Sequence, residues 1–160
     1  ERVQTPQEAL FARAAAEIAT KRGWKLRYIA MNVRQDLPLC RALVSETGGE
    51  AAAAPEDTAA LTRLFASARL TVSMRLHALT LSYLAGTPAF GIDGDGRIAA
   101  FAKECGIPYR TVEECGDIAA ALEEALTAET PDAAIWNDRL AAGRAALARA
   151  LRAPEKEKEK

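Results

Sequence analysis

Cysteine is scarce in this sequence and forms no motif: Cys40, Cys105 and Cys115 are the only three in 160 residues, and no CxxC pair occurs. Their number and spacing argue against a disulfide framework or a cysteine-bound zinc, and reduced, buried thiols suit a reducing compartment. Histidine is scarcer still, since His77 stands alone, which excludes a multi-histidine metal centre. No apolar run approaches the roughly 20 residues that span a bilayer, and no basic-then-apolar leader opens the chain, so a cytoplasmic body is expected. Charge of one sign is also missing. The 21 Lys and Arg are mixed with 22 Asp and Glu to a net charge of -1, which offers no broad field for nucleic acid or an anionic membrane surface. Neither GxxxxGK nor GxSxG occurs, which removes the nucleotide P-loop and the serine-hydrolase elbow.

What is present is a beat of strand and helix. A chain of this length can bury roughly two thirds of its unfolded surface, so one domain over 1–152 is expected, followed by an alternating Glu/Lys tail over 153–160 that reads as disordered. Apolar spacing predicts a helix from Pro6 to Lys21, a strand over 25–31, a helix from Gln35 to Glu46 and a short strand over 50–54. A helix capped by Asp57 or Thr58 follows, then a compact strand over 69–73, a helix over 77–85 and a buried strand over 89–92. Helices over 97–104 and 117–126, a strand over 108–112 and a closing helix over 131–152 with Trp136, Leu140, Leu147 and Leu151 on one stripe complete the reading. Strands alternating with helices imply an α/β fold, a Rossmann-like parallel sheet with helices on both faces. Because the chain opens on Glu1 and enters a helical pattern almost at once, it reads as a piece of a longer protein.

In such sheets ligands bind beyond the carboxyl ends of strands, where helix N-termini present free N–H groups. Three strand ends carry suitable residues: Asn32 to Asp36, Met74 to His77, and Asp93 to Arg97. At the middle one, Arg75 offers a planar fork of donors for phosphate or carboxylate, and His77 follows where a helix begins. The helix dipole adds a preference for an anion. Taken singly, Arg75 would be a surface ion pair and His77 a cap or a core imidazole; their shared place at the carboxyl edge favours a site.

Other readings compete for the third strand end. Gly94-Asp95-Gly96-Arg97-Ile98-Ala99 fits GxGxxA, with Glu113 or Glu114 at the distance of a ribose-binding acid, but Asp93 and Asp95 would crowd a pyrophosphate with like charge. Asp93, Asp95 and Glu104 imitate parts of a calcium loop, yet Ile98 stands where its turn needs glycine, so no metal is expected.

The stretch Ser73-Met74-Arg75-Leu76-His77-Ala78-Leu79, then Ala85-Gly86-Thr87-Pro88, Gly91-Ile92 and Arg97-Ile98-Ala99-Ala100-Phe101, resembles the signature region of the polysaccharide pyruvyl transferases. The resemblance is clear from Ser67 to Pro108 and weaker from Leu26 to Asp36; elsewhere only the order of elements agrees. It implies the C-terminal half of a two-domain fold like that of the B-type glycosyltransferases (GT-B-like). It also implies transfer of the three-carbon unit of phosphoenolpyruvate onto two hydroxyls of a sugar, leaving a pyruvyl ketal on a cell-wall or surface polysaccharide.

Phosphoenolpyruvate enters as donor substrate with no further cofactor. The implied partners are a sugar or glycan-lipid acceptor, reached at the inner face of the membrane, and an N-terminal half without which the isolated domain is inactive. By this resemblance Arg75, Leu76 and His77 form the donor site, with Arg75 holding phosphate or carboxylate and His77 acting as phosphate ligand or general acid. Gln35 and Asp36 match a strand end that the family often keeps acidic. Where many members have Ser-Tyr-Asp-Pro-Lys, this chain has Asp93-Gly94-Asp95-Gly96-Arg97, so Asp95 and Arg97 keep an acid and a base while the aromatic is lost. A nucleotide-sugar glycosyltransferase half, an NAD-type domain and a non-enzymatic regulatory module are the alternatives.

Overall fold

The computed structural model describes residues 6–114, 116–128 and 141. Helix α1 (Pro6–Arg22) leads into β1 (Arg27–Ala30), α2 (Val33–Thr47) and β2 (Glu50–Ala53). Next come α3 (Thr58–Ala66), β3 (Thr71–Ser73), α4 (Leu76–Leu84) and β4 (Ala89–Asp93). The described run ends with α5 (Arg97–Cys105), β5 (Tyr109–Thr111) and α6 (Ile118–Thr127). All strand pairing is parallel. β1 pairs with β2, and β3-β4-β5 form a second sheet in which Ser73 lies opposite Gly91 and Asp93 opposite Thr111.

Alternation along β4 sorts the layers, because successive side chains leave opposite faces of a strand. Phe90 and Ile92 join Phe11, Ala14 and Ile18 of α1 and Ile118, Ala121 and Leu122 of α6 in one buried cluster. Ala89 faces the other way, into a cluster with Leu79 and Tyr83 of α4 and Ile98, Phe101, Ala102 and Cys105 of α5. Gly91 also belongs to that second face, and a Cβ there would stand 2.7 Å from Ile98 Cγ2 and 3.2 Å from Tyr109 Cβ. The absence of a side chain lets α5 lie directly on the strand. Every residue of β4 is buried, as a strand covered on both faces should be.

The expected α/β fold with parallel strands flanked by helices is the one observed. Expected boundaries hold within two residues: α2 begins at Val33 instead of Gln35, and β1 and β3 each begin two residues later than expected. Pro38, inside the first turns of α2, weakens the helical pattern on which a sequence reading relies. The expected single sheet is divided, since β1 and β3 share no backbone pairing. Side chains bridge that junction: α1 reaches β4 through Phe11 while its Ala12 packs with Leu39 and Leu43 of α2 and Tyr28 of β1. The closing helix expected over 131–152 and the tail over 153–160 lie outside the described residues, apart from residue 141.

Candidate functional site

The carboxyl ends of β3 and β4 run side by side into the starts of α4 and α5. At the end of β3, Ser73 sets the turn: its Oγ accepts from the Arg75 N–H at 2.9 Å and donates to the Arg75 carbonyl at 3.3 Å. Arg75 is the N-cap residue of α4, with extended backbone (φ -104, ψ 117) and no side-chain cap bond. The first amides bonded back to it are those of Ala78 and Leu79, so the N–H groups of Leu76 and His77 have no acceptor among the described residues. The other starts differ. α2, α3 and α6 are capped by the side chains of Asn32, Asp57 and Asp117.

The Arg75 guanidinium turns across the sheet junction to the first turn of α2. Its Nη2 forms an ion pair with Asp36 Oδ1 and lies 3.4 Å from Gln35 Oε1. The Asp36 side chain is 9 % exposed and that of Arg75 35 %. Asp36 Oδ2 meanwhile accepts from the Asn32 N–H at 2.8 Å, while Asn32 Oδ1 accepts from the Gln35 N–H at 3.3 Å, a reciprocal cap that fixes the carboxylate. Arg75 Nε is buried without a hydrogen bond. Nη1 carries none among the described residues either. An oxyanion held in bidentate fashion would have to replace the long contact to Gln35, because both bidentate faces of a guanidinium use Nη2.

His77, the second residue of α4, is exposed and makes no hydrogen bond or ion pair among the described residues. Leu76 is half-buried against the cluster of Leu79 and Tyr83, so it anchors the start of α4 in the core.

At the end of β4 the residues separate by role. Asp93 is buried, and its carboxylate accepts from the backbone N–H groups of Gly96 (3.0 Å), Ile98 (3.0 Å) and Ala99 (3.2 Å). Gly96, at φ +84, makes the left-handed turn this requires. The start of α5 therefore already holds an anion, which leaves no cradle for the pyrophosphate of a GxGxxA reading. Asp95 and Arg97 are exposed and bind each other, Arg97 Nε and Nη2 reaching Asp95 Oδ2 at 2.8 and 2.5 Å. Hydrogen bonding from Arg97 lowers the Asp95 carboxyl below its ordinary range, and Asp95 in turn raises the Arg97 guanidinium.

Of the residues singled out from sequence, the structure thus joins Arg75 to Gln35 and Asp36, and Asp95 to Arg97. It sets Leu76 into the core and leaves His77 facing solvent. Ser73, Asn32 and Asp93 are not among the residues expected to bind or act at the site. The signal for Asn32 and Asp93 was present, an Asn or Asp just ahead of a helical pattern, which is the usual place of a capping side chain. Among the described residues no group of three His, Cys, Asp or Glu could hold a metal ion, and no helix is long and apolar enough to cross a membrane.

These features define a parallel α/β domain at whose carboxyl edge, among the described residues, a helix start without a side-chain cap lies beside an arginine. The family model for polysaccharide pyruvyl transferase matches residues 4–96, more than half of the chain, and the chain belongs to that family. The match takes in α1 to β4 with the whole of the Arg75 and Asp36 region. No curated protein and no solved structure gives a significant match.

Proposed function

We propose that the chain binds phosphoenolpyruvate at the start of α4 and serves the transfer of its pyruvyl unit to a sugar of a cell-wall or surface polysaccharide, forming a ketal. The observation that carries this reading is the pair of unbonded N–H groups at Leu76 and His77, next to the Arg75 guanidinium, in a member of the pyruvyl transferase family. Phosphoenolpyruvate carries a phosphate and a carboxylate on one short carbon frame. A helix start and an arginine are two donors suited to two such oxyanions.

In the proposed reaction an acceptor hydroxyl attacks the enol carbon, the methylene takes a proton to become methyl, and a second hydroxyl closes the ketal as phosphate departs. His77, exposed and uncommitted, is the group on this edge able to give a proton to the methylene or to the leaving phosphate. Asp95 and Arg97, at the adjoining strand end, are assigned to substrate binding in this reading. A second domain over this edge would complete a GT-B-like cleft and exclude water. The reaction is set in the cytoplasm, on acceptors presented at the inner face of the membrane, with no cofactor besides the donor.

The test is phosphate release by the full-length protein supplied with phosphoenolpyruvate and a candidate sugar acceptor. Arg75→Ala is expected to lower kcat/KM by about 100-fold, the usual scale for removing a donor from an oxyanion site. His77→Ala is expected to act mainly on kcat. Unchanged turnover in both variants would overturn the reading.

A further inference from the structure

We infer that Asp36 is a positioning residue that acts through Arg75, and not itself a ligand of the substrate. The inference rests on the proposed donor site and assigns the residue that prepares it. Arginine has the most rotamer freedom to lose when a ligand is bound, and prior ordering of a side chain removes that cost from binding. Asp36 supplies that order. Its Oδ2 is held by the Asn32 N–H at 2.8 Å, and its Oδ1 pairs with Arg75 Nη2. At 9 % exposure its side chain is turned away from solvent, where a substrate would arrive.

Gln35 differs in being exposed and 3.4 Å from the same nitrogen, so it is the partner that gives way when an oxyanion takes Nη2. Arg75 would then bridge two anions, one fixed in the protein and one delivered. Asp36 also opposes the incoming charge, but that opposition is screened at a partly exposed edge, whereas the loss of order is not.

The test is a double-mutant cycle on the full-length protein, reading the Kd of phosphoenolpyruvate by calorimetry. Asp36→Asn keeps an oxygen for the Asn32 N–H and so preserves the cap, yet it removes the charge that holds Arg75. We expect it to weaken binding about 10-fold. Asp36→Glu, which keeps the charge, should stay within about threefold of the parent and so separates loss of the pair from loss of fold. In an Arg75→Ala background, Asp36→Asn should weaken binding no further. Additive losses in the double variant, or an Asp36→Asn protein that binds as well as the parent or better, would overturn the inference. An Arg75→Ala protein that binds phosphoenolpyruvate normally would instead remove the donor site on which it rests.

Discussion

Asp93 and Asp95 stand two positions apart in one loop and have unrelated consequences. The buried Asp93 carboxylate satisfies three backbone N–H groups. Asp93→Ala would leave them without an acceptor and is expected to destabilise the fold by about 2–3 kcal/mol, measured as a lower urea midpoint. Asp95 is exposed, and Asp95→Ala should leave that midpoint where it was. Because Arg97 lowers the Asp95 carboxyl, any stability it adds is present above the ordinary carboxylate range and fades as pH falls through the lowered value, a small effect in open solvent. Cys40 offers a third contrast. Burial, and then the charge of Asp36, push its thiol up from the ordinary value. Cys40 and the buried Cys105 should therefore resist alkylation at pH 8 and react once the chain is unfolded, with peptide mass spectrometry locating the label.

Among elements, β4 carries the tightest constraint. Gly91→Ala would drive a methyl group into Ile98 of α5 and Tyr109 of β5, and should cost about 1–3 kcal/mol by urea unfolding, since neither neighbour is a flexible tip. Most of this level was legible from residue patterns. Apolar runs over β3 and β4 and the helical patterns between them placed strands and helices within two residues. The parts that escaped have physical causes. The start of α2 is set by the Asn32 cap instead of by apolar spacing, and a turn fixed by one serine hydroxyl, as at Ser73, leaves no periodic trace. The pairing of Arg75 with Asp36 links positions 39 residues apart, and no local pattern contains that distance. The strand ends of the candidate site were therefore readable, but not the contacts among them.

For the molecule as a whole, α1 holds the two sheets together. Phe11 is 3 % exposed, and its ring lies 6.1 Å from that of Phe90, while Ala12, on the adjoining face, meets α2. Phe11→Ala should cost about 3–5 kcal/mol and loosen both sheets, seen as faster amide exchange in β1 as well as β4. Ion pairing at the carboxyl edge adds a second tie, so the junction between β1 and β3 is secured from the core and from the rim. The distribution of helix caps has a wider consequence. With α2, α3, α5 and α6 each closed by an Asn or Asp of the chain itself, α4 is set apart among the helix starts whose cap residues are described, since Arg75 supplies it no side-chain acceptor. An Asp in place of Arg75 would give α4 the same kind of lid and make the row alike in a single substitution.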